Sequence, residues 1–136
     1  MRLLLTSRQV QLLRDKVSRV QPLEACALLF GRVSKQEAAV HRIVTVPNVL
    51  RSTVRFEIHP TAFYEAFMQA QKDGLDFLGL FHSHSAPPFP SSVDLEFMRL
   101  WGDAVWLILS TLDNSLAAFQ MSNDRVLRVT VKTDKV

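Results

Sequence analysis

Two rhythms of apolar residues divide the chain, one at steps of three and four and one at steps of two, and they predict helices and strands in turn. Met1 to Thr6 reads as a short strand. Ser7 is placed to cap a helix whose apolar positions are Val10, Leu13, Val17 and Val20, and Pro22 ends it. Glu24 to Phe30 is apolar after its first residue, the pattern of a central strand buried on both faces, and Gly31 then permits a turn. Residues 37–46 and 53–58 alternate like strands, with Pro47-Asn48 between them. Pro60 suits a first helical turn; Phe63, Phe67 and Ala70 form the apolar face that follows, and Gly74 stops it. Asp76 to His84 is a strand, and beyond a proline-rich bend comes a helix with Val93, Phe97 and Leu100 on one side, ending near Gly102. The last third alternates apolar runs with turns at Asp113-Asn114 and Asn123-Asp124, which gives strands over Ala104 to Thr111, Ser115 to Met121 and Val126 to Val131, an antiparallel meander. The whole predicts an α/β domain over residues 1–136, a mixed central sheet flanked by about three helices.

Composition narrows the function classes. With 136 residues, 48% of them apolar, the chain can bury one core. The formal charge of +3 is mild, and no basic run suggests a nucleic-acid arm. Leu3-Leu4-Leu5 is too short for a signal or membrane segment, so the expectation is a cytoplasmic protein with neither nucleic-acid nor membrane partner. One cysteine, Cys26, rules out an internal disulfide and fits a reducing compartment. Between Ala25 and Ala27 it reads as a buried apolar residue.

The chemistry concentrates in Phe81-His82-Ser83-His84-Ser85-Ala86-Pro87-Pro88-Phe89-Pro90-Ser91-Ser92-Val93-Asp94. Alternate side chains of a strand share a face, so His82 and His84 point the same way where the apolar run stops. With Asp94 in the first turn of the next helix they make two imidazoles and a carboxylate, a set that suits zinc with a fourth position for water. Ser91-x-x-Asp94 also reads as a capping box, and the two roles are compatible. Glu24 opens a stretch with no other polar side chain, and a carboxylate between an apolar wall and a cation is a candidate base. His41 and His59 lack acidic or histidine neighbours at useful spacing and are read as non-ligands, while Ser83, Ser85 and Cys26 lack a nucleophile's setting. A nucleotide deaminase with its paired zinc cysteines is excluded by the single cysteine.

Taken together, Glu24 in Pro22-Leu23-Glu24-Ala25-Cys26, then His82-Ser83-His84, then Ser91-Ser92-Val93-Asp94 resemble the signature of the JAMM (MPN+) metalloproteases, and the order of elements resembles that family along nearly the whole chain. The resemblance implies a single JAB/MPN domain of cytidine-deaminase-like fold, one zinc bound by His82, His84 and Asp94, Glu24 as general base and proton shuttle, and Ser91 steadying the oxyanion. It implies an isopeptidase or peptidase acting at the C-terminal tail of ubiquitin or a ubiquitin-like protein. Two other readings stay open: a peptidase that processes a ThiS-like sulfur carrier, and a metal-free scaffold in a protein assembly. An extended tail would be threaded to the site, with a strand edge nearby to pair with it. Oligomeric state is open, a homodimer being compatible.

Two departures bear on Asp94. The family pattern has seven residues between the second histidine and the serine, and here there are six, Ser85 to Pro90; Ser85 also stands where proline is usual. Taking Ser92 would restore the count but leave one residue before Asp94, so Ser91 is the match and the loop is short. With no room for long insertions, the chain reads as a minimal catalytic domain.

Overall fold

A computed structural model describes residues 1–134. Its elements run β1 (Arg2–Thr6), α1 (Ser7–Val20), β2 (Cys26–Ser34), β3 (Glu37–Val46), α2 (Pro60–Lys72), β4 (Asp76–His84), α3 (Ser92–Trp101), β5 (Val105–Ser110), β6 (Leu116–Ser122) and β7 (Arg125–Asp134). The strands form a single mixed sheet in the order β1-β3-β2-β4-β5-β6-β7, which closes because β7 pairs with β1 in parallel from Arg2↔Thr130 onward. Both the mixed sheet and the three helices agree with the sequence reading; the closure was not anticipated. Among the described residues each strand has a neighbour on both sides, so no strand presents a whole free edge.

The central strands β2, β4 and β5 are buried on both faces over most of their length. Ala27 and Leu29 of β2 join Leu13 and Val17 of α1 in one apolar cluster. Cys26, Leu28 and Phe30 turn the other way and join Ala70 of α2 and Met98 of α3 in a second. That alternation explains why β2 carries no polar residue along its first half: either face would have to bury it. Where β4 runs parallel to β5, a Cβ on Gly79 would run into the Val105 backbone, so the pair can approach only at a glycine.

Four local expectations are corrected. Thr6, not Ser7, caps α1: its hydroxyl accepts from Gln9 N–H at 3.1 Å while the Gln9 side-chain oxygen accepts from Thr6 N–H at 2.9 Å, a reciprocal box that Ser7 with Val10 could not make. Gly31 makes no turn. It sits at a bulge within β2, where a side chain would collide with the Ala39 carbonyl, and the turn comes later at residues 35–36.

Residues 53–58 are not a strand. The Asn48 side chain gathers this segment instead. It donates to the Arg55 carbonyl at 2.7 Å and the Glu24 carbonyl at 3.2 Å, and it accepts from Leu50 and Glu57 N–H groups, both at 3.1 Å. An amide so used takes the backbone groups that a ladder would need. Finally, α3 turns Asp94 and Met98 inward and leaves Phe97 and Leu100 exposed, so its buried face is not the Val93-Phe97-Leu100 stripe. Among the described residues no helix is long and apolar enough to cross a membrane.

Candidate metal centre

Strand register assembles the site. β2 and β4 are antiparallel with Cys26 opposite His82, so Glu24, two residues before Cys26, comes alongside His84. Ser83, between the histidines, points to the other face and its hydroxyl accepts from Ala25 N–H at 2.9 Å, while Ser83 N–H donates to the Ala25 carbonyl at 3.1 Å. That pair of bonds fixes the segment carrying Glu24 against the strand carrying both imidazoles. The far end of β4 is held by Thr111, whose N–H donates to the His84 carbonyl at 2.7 Å. Ser85, at the position where proline is usual, has its hydroxyl 3.2 Å from the Thr111 hydroxyl, a contact that proline lacks.

Glu24, His82, His84 and Asp94 are all buried. Asp94 Oδ2 lies 3.4 Å from His82 Nε2 and 3.1 Å from His84 Nε2, and Glu24 Oε1 lies 3.4 Å from His82 Nδ1. Glu24, His82 and His84 also offer ligand atoms that all fall within 4.8 Å of one another. The short loop does not carry Asp94 away. Ser91 closes it as the cap of α3: its hydroxyl accepts from Asp94 N–H at 3.1 Å, and Asp94 Oδ2 accepts from Ser91 N–H at 2.9 Å. One carboxylate oxygen thus serves the cap and faces both imidazoles. Ser92 begins the helix itself and is exposed.

The donor set fits a divalent metal. Both ring nitrogens of His82, and Nδ1 of His84, are buried without a hydrogen-bond partner; the carboxylates stand close, but the 3.4 Å separations from His82 are contacts of charge rather than aligned bonds. Buried nitrogens left so are rare and costly, and two imidazoles with two carboxylates are ligands of the kind zinc takes. Electrostatics agree. Burial drives the His82 pKa down, but the Asp94 and Glu24 carboxylates outweigh it and push it up to about 9. Burial raises Asp94, and the two imidazoles then pull it well below the usual carboxylate range. A cation is favoured at this point in the fold, whether proton or metal.

The remaining histidines and the cysteine sit in other settings. His59 caps α2, its Nδ1 accepting from Thr61 N–H at 3.1 Å, and His41 is exposed. Burial pushes the Cys26 thiol up to about 12, so it is inert as a nucleophile. Two aromatic residues that the sequence reading missed frame His82. Phe56 stacks on its ring at 4.7 Å, and Trp106 meets it edge-on at 5.8 Å. Phe56 lies in the 53–58 segment, whose alternation points to a strand, and Trp106 reads in sequence as one more apolar residue of the Ala104 to Thr111 run.

Beyond this geometry, comparison with known proteins gives the family. The model for prokaryotic homologs of the JAB domain matches residues 6–125. A desampylase from Pyrococcus furiosus is 38% identical over 96 residues, 70% of this chain, and the match spans 65% of that relative's length. Among solved structures, the solution structure of protein DSY2949 from Desulfitobacterium hafniense is similar with a TM-score of 0.86 at 27% identity, covering 98% of this chain and 94% of that one. The closed sheet, the helix order and the matched span agree: the chain belongs to the family of prokaryotic JAB-domain proteins.

Proposed function

We propose that this chain is a zinc-dependent peptidase that cleaves isopeptide or peptide bonds at the C-terminal tail of a ubiquitin-like protein, with residues 1–136 acting as one catalytic domain. The observation that carries the reading is the meeting of two imidazoles with partnerless nitrogens and two carboxylates. The name of the Pyrococcus furiosus relative, desampylase, is consistent with it.

His82, His84 and Asp94 would hold the zinc. Bound there, zinc supplies Lewis acidity that brings the pKa of a water from about 15.7 to about 7 and polarises a carbonyl. Glu24, beside the imidazoles, would accept a proton from the attacking water and pass it to the leaving amine, the work of a base placed within reach of the reacting atoms. The Ser91 oxygen already accepts from Asp94 N–H, which leaves its own proton to donate to the oxygen of the attacked carbonyl. Phe56 and Trp106 hold the His82 ring in one orientation, so the nitrogens are aimed before any ligand arrives.

The test is a metal analysis paired with a substrate panel. Purified protein should carry about one zinc per chain, reduced in His84→Ala, and Glu24→Gln should keep its zinc while losing cleavage. A Lys-linked conjugate and a C-terminally extended sulfur carrier, incubated separately, tell the two substrate classes apart. Parent-like turnover by Glu24→Gln would remove the assigned base, and zinc absent from every form would remove the enzyme.

A further inference from the structure

The metal centre opens onto a cleft with two unlike arms that share Glu24, Thr53, His84 and Ser85. One arm, of roughly 180 Å³, is lined further by Gln21, Pro22, Ser83 and Thr111. The other, of roughly 370 Å³, runs past Ser91 between Val54 on one side and Ala86, Pro87 and Phe89 on the other. Val54 is 72% exposed and Phe89 53%, so two large apolar groups face water beside a charged centre.

Neither wall is loose. Phe89 lies between Pro88 and Pro90, each with its backbone angle fixed by the ring, and its N–H donates to the Pro87 carbonyl at 2.8 Å across a three-residue turn. Its ring meets Phe119 of β6 edge-on at 6.0 Å, and Phe119 is buried. On the facing side Val54 N–H donates to the Ser52 hydroxyl at 3.1 Å, and the Ser52 carbonyl accepts Glu24 N–H at 2.8 Å. The Val54 wall is therefore tied to the segment that carries Glu24, and the Phe89 wall to β6. A half-exposed aromatic ring held in place before a partner arrives loses little entropy on binding one.

We propose that the arm between Val54 and Phe89 is a specificity subsite that seats one aliphatic side chain of the substrate next to the scissile bond. The smaller, more polar arm receives residues without bulk. This rests on the peptidase reading and deepens it to a pattern: an apolar residue on one side of the cleaved bond and small residues on the other. The volume agrees, since about 370 Å³ is at the low end of small-molecule sites, enough for a large side chain and its backbone but not for a folded body. Seating such a side chain between two apolar walls should be worth about tenfold to a hundredfold in affinity.

The experiment uses the zinc-loaded protein and fluorescent tail peptides in which each position flanking the bond is varied in turn between Gly, Asp and Leu. At one flanking position the parent should favour Leu by about tenfold or more in kcat/KM, carried by KM. Phe89→Ala and Val54→Ser should each shrink that ratio to under about threefold, and Phe89→Leu should restore most of it. Equal cleavage of all three peptides at every position, or a Leu preference untouched by both variants, overturns the subsite. Anisotropy binding to the Glu24→Gln chain reads the same preference without turnover. Tighter binding of the Leu peptide there, with no cleavage by the parent, would uphold the subsite while removing the reaction; cleavage without preference would do the opposite.

Discussion

The two reciprocal capping boxes of this chain, Thr6 with Gln9 at α1 and Ser91 with Asp94 at α3, are alike in spacing and in hydrogen bonds and opposite in what they do. At α1 the third residue is a neutral amide whose spare N–H groups reach the Val40 carbonyl at 2.9 Å, so the box stitches a helix to a strand. At α3 the third residue is a buried carboxylate with nothing to donate, and its capping oxygen faces the Nε2 atoms of His82 and His84. The backbone geometry is shared; the charge and the surroundings of the third residue decide the role. A cap can therefore also aim a side chain: the oxygen that accepts from Ser91 N–H is the one held against both imidazoles.

Substitutions that treat the boxes alike should break this comparison, and those that separate charge from capping should sharpen it. The largest effect is expected from Asp94→Asn, which keeps an oxygen for Ser91 N–H but removes the charge. Zinc content should fall to near zero by metal analysis, and kcat/KM should drop by more than the roughly 10²–10³-fold typical of a lost oxyanion donor. Next is Ser91→Ala, which should keep zinc, lower kcat by about 10²–10³-fold and cost about 1 kcal/mol in urea unfolding, the first loss testing the oxyanion role proposed for the hydroxyl and the second its cap.

Chelation should then expose a pH dependence centred on His82, which faces Asp94 of the α3 box and Glu24. His82 is pushed up to about 9 from its ordinary 6.5, so the stability it contributes is complete below about pH 6.5 and is lost as pH rises through about 9. The metal-free chain should unfold at progressively lower temperature across that window, and zinc should abolish the trend. The smallest effect is expected from Thr6→Ala: about 1 kcal/mol of stability by denaturant titration, with zinc content and turnover as in the parent.

The difference between the boxes also marks what the sequence could disclose. Ser91-x-x-Asp94 was legible as a cap from its spacing, and the His82-x-His84 pair marked Asp94 as a carboxylate that could meet them, which it does. The strand carrying His82 and His84 was legible because its apolar run ends where they begin. The buried face of α3 was not. Apolar periodicity pointed to Phe97 and Leu100, but the helix is rotated so that Asp94 faces the imidazoles, and a buried carboxylate counts against the core side in any pattern of hydrophobicity. Residues 53–58 alternate as a strand does, yet their hydrogen bonds go to Asn48 and Ser52, side chains that no periodicity weighs. The pairing of β1 with β7 joins the two ends of the chain, a separation at which local pattern carries no information.

The closed ring of strands has one more consequence. Among the described residues the ring leaves no whole strand edge open for a second copy to join by backbone pairing; β1 covers β3 only at Glu37–Ala39, and toward Val46 the ladder partner of β3 is β2. The segments that cross the rim between strands are not held by that pairing. Those segments can change in length and composition while the scaffold beneath them stays intact, which makes them the adjustable part of this molecule.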